Sequence, residues 1–454
     1  MHSDKRLITS LTDGIIEIAM RPSDEVPELP LEFAKLSLFD WMTCGIAGIG
    51  EPLAVKLRQL SVVEGGQALA AVVGGTRVPP RMAALVNGAT SHALDYDDTH
   101  FAHVGHLSVG IYPAALAIGE MQDSSAEEVI TAFLLGAEGA IRVGMALGRA
   151  HYNLGFHQTA TAGAFGATLA AGRLLRLDGS QMRHALGLCA TRASGLTSQF
   201  GTMGKPYNAG ISAANGVECA LLAGLGLTSA DDGLMGHQGF VGSHLPSGLN
   251  SPLPNMAFDR YFFSDNKYKL HACCHGLHPM IEALRASEAV AGLSLDDISA
   301  FSLMTNPRWL AVCDIKQPRT GLEVKFSYNW LAGMTLRGDN TGDDRLFTDS
   351  IAMDAELGRF AERINVSDDD NLTDLQVRGK LSLKDGHTIP IYFDLAEPLV
   401  PSVLLERLRR KSFTVIGAAS AAVWKLQPNL KQLGARDIAA VLLTANSEDE
   451  TVKG

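Results

Sequence analysis

Residues 87–113 read NGATSHALDYDDTHFAHVGHLSVGIYP, and this stretch sets the interpretation of the whole chain. Three acids (Asp95, Asp97, Asp98), one threonine (Thr99) and four histidines (His92, His100, His103, His106) stand between two apolar helical segments. Such side chains are poor core material, because a buried unpaired charge is costly or shifts its pKa until it is neutral. Their density marks a site, and the apolar segments on either side predict a helical scaffold for it.

Working outward, residues 6 to about 265 read as helix after helix, rich in small apolar residues. Helices are expected over 30–47, 125–149, 159–175, 180–190 and 211–225. Ser125 is the N-cap of the second, and Ser180 that of the fourth, after the turn-forming Asp178-Gly179. The texture changes near Asp259. Strands are expected over 298–305, 374–383 and 388–393, with Asp385-Gly386 as a hairpin turn and helices over 279–291 and 325–336. The tail, 402–433, is helical again. The expected division is a helical domain over 1–265, an α/β domain over 266–401, and a return to the helical domain over 402–454.

A chain of 454 residues exceeds one ordinary core. Its formal charge of −11, from 38 bases against 49 acids, makes it a poor nucleic-acid binder, and no Lys/Arg run is taken as a basic stripe. The longest apolar runs, such as 111–119 and 283–293, fall short of the roughly 20 residues of a membrane span. The N-terminus, MHSDKRLITSLTDG, has no apolar signal core, and the six cysteines are scattered. Both point to a cytoplasmic protein with reduced thiols.

Four other places carry unusual polar residues. Gly155-Phe156-His157-Gln158-Thr159 opens a helix whose positive end helps hold an imidazole neutral. Phe200-Gly201-Thr202-Met203-Gly204-Lys205-Pro206 lacks the spacing of a phosphate loop but presents a lysine suited to gripping a carboxylate. The segment 266–279, NKYKLHACCHGLHP, suggests zinc, yet adjacent cysteines cannot easily supply two tetrahedral ligands. His100, His103 and His106 would spread around a helix instead of converging on one ion. No metal is expected at either place. The fourth is Lys325-Phe326-Ser327-Tyr328 at a helix start.

Taken in order, these segments resemble the MmgE/PrpD family: Ala93-Leu94-Asp95-Tyr96-Asp97-Asp98-Thr99-His100, then His106-Leu107-Ser108, Gly155–Thr159, Phe200–Pro206, a lysine-to-histidine segment with cysteines over 269–278, and Glu323-Val324-Lys325-Phe326-Ser327. The resemblance runs from the 33–48 helix to at least Leu336. It implies a mostly α protein, with a large all-helical domain, an inserted smaller α/β lid and an active-site cleft. It also implies a homodimer, no metal or organic cofactor, and a small di- or tricarboxylate as substrate; the charge and the short apolar runs already leave neither nucleic acid nor membrane as an expected partner. Carried over by motif, the catalytic residues are Asp95, His106, His157, Lys269 and Cys274. The substrate-binding residues are Thr99, Lys205 and His278, joined by His103 and Tyr328. His103 enters because the spacer between Thr99 and His106 is one residue longer than usual, which makes it a rival for the role of His106. Tyr328 substitutes for the tyrosine of the decarboxylases, where this chain has Trp330. Cys274 stands where cis-aconitate decarboxylases place a histidine, and Asn208 lies where a histidine often follows the lysine-proline pair.

The chemistry expected is proton transfer next to a carboxylate. Lys205 and Lys269 hold carboxylates, one of His106 and His157 moves the proton, and Asp95 fixes an imidazole tautomer. A hydro-lyase resembling 2-methylcitrate dehydratase is the first expectation, an iminodisuccinate-type epimerase the second and a cis-aconitate-type decarboxylase the third. A non-catalytic carboxylate binder is the alternative of another class.

Overall fold

The computed structural model describes residues 10–248 and 260–445. The first nine residues of the N-terminal argument and the change of texture at Asp259 lie outside the described residues. Two compact units are present: Met1–Tyr268 with Ile416–Gly454, and Lys269–Val415.

The first unit is built from α1 (Leu11–Met20), α2 (Glu28–Ala47), α3 (Pro52–Glu64), α4 (Pro80–Ser91), α5 (Ser108–Gln122), α6 (Ala126–Asn153), α7 (Gln158–Leu174), α8 (Gly179–Arg192), α9 (Gly204–Gly224) and the short α10 (Phe240–Ser243). It is not purely helical, since β1 (Ala70–Ala71) pairs antiparallel with β2 (Arg77–Val78). α7 packs on α5, α6, α8 and α9, and α4 packs on α5 and α9. Missing side chains allow this. A Cβ on Gly136 of α6 would meet the Gly166 carbonyl oxygen of α7 at 2.5 Å, and one on Gly210 of α9 would meet the Leu85 carbonyl oxygen of α4 at 2.3 Å. The second approach matters for function. It draws the loop after α4 toward the first turn of α9, and these two pieces carry most of the polar residues of interest.

α6 begins as expected at Ser125, whose side chain accepts from the Glu128 N–H in a reciprocal capping box. It also corrects an expectation. α6 is long and apolar enough to cross a membrane, but 94% of its most apolar stretch is buried inside the fold, as in a core helix. Counting uninterrupted apolar runs missed it because Glu138 and Arg142 interrupt the run. These two pair with each other in the core, where Arg142 also donates to the Arg260 carbonyl at 2.8 Å and Glu138 accepts from the Phe263 N–H at 2.6 Å. α8 is capped two residues earlier than read, by Asp178 in place of Ser180, accepting from the Gln181 N–H at 2.9 Å. α9 starts at Gly204, so Lys205 belongs to its first turn, where Pro206 sacrifices no hydrogen bond.

The second unit centres on β3 (Ile298–Thr305), β4 (Ile364–Asp368), β5 (Gln376–Leu383) and β6 (Thr388–Asp394), ordered β4-β3-β5-β6. β3 and β4 are parallel and the other pairs antiparallel. Three of these strands match expectation; β4 is short and half polar, and its pairing to β3 makes it a strand. Gly386, at φ 92°, turns the expected hairpin, closed by Leu383 N–H to the His387 carbonyl at 2.8 Å. The helices are α11 (His278–Ala286), α12 (Pro307–Cys313), α13 (Gly321–Val324), α14 (Tyr328–Arg337), α15 (Asp349–Ala352), α16 (Ala355–Ala361) and α17 (Pro401–Ile416). α11 packs on β5, β6 and α14.

Most of α17 belongs to the second unit, not to the C-terminal return expected from residue 402. Leu404 and Leu408 are buried, and Arg407 pairs with Glu282 of α11. Its sequence Arg407-Leu408-Arg409-Arg410-Lys411 is also a basic run, which the charge argument passed over. The chain breaks at Gly417, at φ 52°, and returns to the first unit through α18 (Ser420–Lys425) and α19 (Ala435–Thr444). There Trp424 stacks on Phe39 with ring centroids 4.7 Å apart.

Candidate active site

The loop joining α4 to α5 holds the polar cluster. Thr99 and Lys267 exchange backbone hydrogen bonds of 2.7 and 2.8 Å, which tether the loop. Asp98 pins its far end, accepting from the Ser108 N–H at 3.1 Å, the Ser108 hydroxyl at 2.6 Å and the Asn266 amide at 2.7 Å. Burial, abetted by the Asp97 and Asp40 charges, pushes the Asp98 carboxyl up to about 7 against those hydrogen bonds. Asp95 adopts the left-handed conformation at φ 51°, uncommon for a residue with a side chain and frequent where a loop is held for function.

Asp97 is fully buried between two imidazoles. One carboxylate oxygen lies 2.7 Å from His92 Nδ1 and the other 2.8 Å from His106 Nδ1. Burial alone would raise its pKa, but the two rings overcome that and hold it well below the carboxylate range. A carboxylate oxygen this close to a ring nitrogen requires a proton on that nitrogen, since two lone pairs would repel. A ring with its proton on Nδ1 presents a bare Nε2, the form that the Asp97 contacts favour for His92 and His106. The rings meet edge to face at 4.5 Å between centroids. The backbone N–H of His106 donates to the Thr159 hydroxyl at 3.0 Å, which ties this ring to the start of α7. Burial, only partly offset by Asp97, lowers the His106 pKa.

His157 is the N-cap of α7 and has the opposite tautomer. The Asn208 amide nitrogen lies 3.1 Å from His157 Nδ1 and 3.2 Å from the Leu196 carbonyl oxygen. An NH2 facing a carbonyl must donate, so the same group donates to His157 Nδ1, and the neutral ring keeps its proton on Nε2. Burial first, then the neighbouring His92 and Lys205, holds the His157 pKa well below the usual histidine value. Phe200 stands edge-on to this ring at 4.9 Å. Lys205 Nζ lies 2.5 Å from Asp95 Oδ2, while Asp95 Oδ1 is 3.5 Å from His106 Nε2. Asp95 is the most open member of the group, with 38% of its side chain exposed.

The second unit holds a separate group on the segment entering α11. Lys269, His271, His275 and His278 are buried and Cys274 is half-buried. The His278 ring lies tilted at 4.5 Å from His275 and edge-on at 5.0 Å from His271, between centroids. Burial, with those rings and Lys269 nearby, holds the His278 pKa well below its ordinary value. His271 is held at both nitrogens, by Glu282 at 2.8 Å and by the Thr341 hydroxyl at 2.8 Å.

Residues 18–249 match the MmgE/PrpD N-terminal domain and residues 271–389 the MmgE/PrpD C-terminal domain. The chain belongs to the MmgE/PrpD family. It is 31% identical over 278 residues to a cis-aconitate decarboxylase of Aspergillus terreus, covering 58% of this chain and 56% of that protein. The cis-aconitate decarboxylase of Mus musculus is 28% identical over 228 residues, covering 48% of this chain and 43% of that protein. The chain thus spans about half the length of the curated relatives it matches.

Within this MmgE/PrpD chain the structure brings together His106, His157, Lys205 and Asp95 as the sequence suggests, and adds His92, Asp97 and Asn208. Asp97, not Asp95, fixes the imidazole tautomers, because its two oxygens reach both Nδ1 atoms while Asp95 is drawn to Lys205. His103 is not part of the group. Its Nδ1 donates to the Ala140 carbonyl of α6 at 3.1 Å, and burial lowers its pKa to about 3. Tyr328 is fully buried with its hydroxyl committed to the Gly276 carbonyl at 2.9 Å and Thr305 at 3.0 Å, a structural role and not a substrate contact. Asn208 had a signal in the sequence: it stands at the place where a histidine was missed.

His92, Asp95, Asp97 and His106 offer ligand atoms within 4.8 Å of one another, the density of a metal site. The donor chemistry fits an ion poorly. One Asp97 oxygen is hydrogen-bonded to His92 Nδ1 and the other lies 2.8 Å from His106 Nδ1, and the Lys205 ammonium already stands beside Asp95 where a dication would sit.

Proposed function

We propose that this protein is an acid–base enzyme acting on a small di- or tricarboxylate, and that it is a hydro-lyase. The observation carrying this reading is the pair of opposed tautomers: a bare Nε2 on His106, set by Asp97, and an Nε2–H on His157, set by Asn208. One ring is ready to accept a proton and the other to donate a hydrogen bond to a leaving hydroxyl, as elimination of water requires. His106 Nε2 takes the proton next to a substrate carboxylate, the C–H electrons form the new C=C bond, and the β-hydroxyl, held by a hydrogen bond from His157 Nε2–H, leaves as water on taking the proton that solvent relays from His106, so that both rings end neutral as they began. Charge building on the carboxylate is met by Lys205, released from or shared with Asp95. His92, with the same tautomer as His106, is the reserve base on the other side of Asp97.

Decarboxylation is the second reading, favoured by the activity named for the relatives. It needs a proton donor and a cation but no base, so it uses His157 and Lys205 and leaves the Asp97 pair idle. Incubation in D2O with 2-methylcitrate, cis-aconitate and iminodisuccinate separates these readings. Alkene formation with deuterium entering recovered substrate supports the hydro-lyase. CO2 release from cis-aconitate replaces it with the decarboxylase, and exchange with racemisation of iminodisuccinate replaces it with an epimerase. Lys269, Cys274 and His278 enter through the family motif alone. Lys269→Met in the intact chain tests them: wild-type turnover removes that group from the reaction.

A further inference from the structure

The second unit contains a cavity of about 570 Å³ whose lining shares no residue with the proton-transfer group of the first. Five of its side chains are permanent or near-permanent cations: Arg285, Arg407, Arg409, Arg410 and Lys411. Glu406 is the only acid among the described lining residues. Four of the five come from the basic run of α17, and Arg407, Arg410 and Lys411 share one face of that helix by their spacing. In a chain with a formal charge of −11 this is a concentration of positive charge against the overall field.

Several of these groups are pre-set. Arg285 is held by the Asp339 carbonyl and the Thr341 hydroxyl, both at 3.1 Å. Arg407 is held by Glu282, a carboxylate also bonded to His271. Burial would raise the Glu282 pKa, but His271 and Arg407 together pull it down to about 2, so it stays charged and its charge is spent on them. Lys411 is 4% exposed although it lines the cavity, an unusual place for an ammonium. Arg409 and Arg410 are exposed at the rim, and Arg410 forms no ion pair among the described residues. Asn340 and Thr414 add neutral polar groups. Guanidinium forks suit oxyanions that accept two parallel hydrogen bonds, and a cavity of this size is in the range of small-molecule sites.

We propose that this cavity is a binding site for a small polyanion bearing two or more clustered oxyanion groups, either a diphosphate or a tricarboxylate. It is independent of the proposed reaction, and either can fail without the other. The test uses the intact chain at fixed ionic strength, with inorganic pyrophosphate and citrate as separate probes of thermal unfolding. The double substitution Arg409→Gln/Arg410→Gln removes two rim cations that support no core packing. Pyrophosphate should raise the unfolding temperature of the wild type by roughly 2 °C or more, and the double variant should lose at least half of that rise. A rise with pyrophosphate alone identifies a phosphate ligand, and an equal rise with citrate through the same arginines identifies a carboxylate one. No rise with either probe, or a rise that survives the double substitution, overturns the proposal.

Discussion

The chain carries two histidine-rich groups, one in each unit, and they are built on different physical terms. In the first unit every ring that matters is told which nitrogen carries the proton. Asp97 instructs His92 and His106, and Asn208 instructs His157. In the second unit His271 is held at both nitrogens, by Glu282 and Thr341, while the His275 and His278 rings lie tilted against each other in a buried setting beside Lys269. Burial lowers the pKa of His106 and His157 in the first place and of His271 and His278 in the second. In the first group the contacts behind the rings favour one tautomer for His106 and the other for His157. Density of histidine in a sequence therefore does not identify a proton relay; the carboxylate or amide behind each ring does.

The sharpest way to break this contrast is Asp97→Asn. The amide places an NH2 against one ring and demands the wrong tautomer there, so kcat should fall about 10³–10⁴-fold while circular dichroism stays native. A fall below tenfold would make Asp97 merely a core residue. Removing the opposite partner comes next. Asn208→Asp turns His157 around, with Nδ1–H toward the new carboxylate and a bare Nε2 in place of the donor. A loss of about 10–100-fold is expected, and Asn208→Ser should cost less. The comparison is sharpened by finding both effects in kcat and not in KM.

The pH dependence is a smaller effect. Burial lowers the pKa of His106 and of His157, so both rings stay neutral, and the base stays competent, at and below the ordinary histidine pKa of about 6.5. The acid limb of kcat/KM should therefore lie below pH 6.5, because protonation of His106 is what removes activity as pH falls. A limb centred above that value would contradict the burial argument. The least effect on turnover is expected from Tyr328→Phe, which removes a hydroxyl used only within the second unit. Activity should stay within threefold, and urea unfolding should show a loss of about 1 kcal/mol.

Much of this was legible beforehand. The polar stretch 87–113, the glycine-rich entry to α7 and the lysine before Pro206 all announced themselves by composition out of keeping with their apolar surroundings. The capping serine of α6 and the Asp385-Gly386 hairpin were legible because their rules are local. The choice among Asp95, Asp97 and Asp98 was not. In a loop that includes a left-handed residue at Asp95, alternation of side chains no longer tells which way each acid points. His103 and His106 were equally inseparable by spacing, and only the packing of one against the Ala140 carbonyl decided it. The basic run in α17 was overlooked in plain sight, since net charge hid it.

By itself the sequence determined the family, the helical class of the first unit and the set of ionisable groups available for chemistry, because composition, periodicity and ordered motifs are properties of the chain read in line. Only the tertiary structure decided which carboxylate stands behind which ring, and hence which nitrogen is bare and which holds a proton. That depends on contacts of under 3.2 Å, such as Asp97 to two rings and Asn208 to His157. The last of these joins residues about fifty positions apart, and the approach of α4 to α9 across Gly210 helps set up the arrangement.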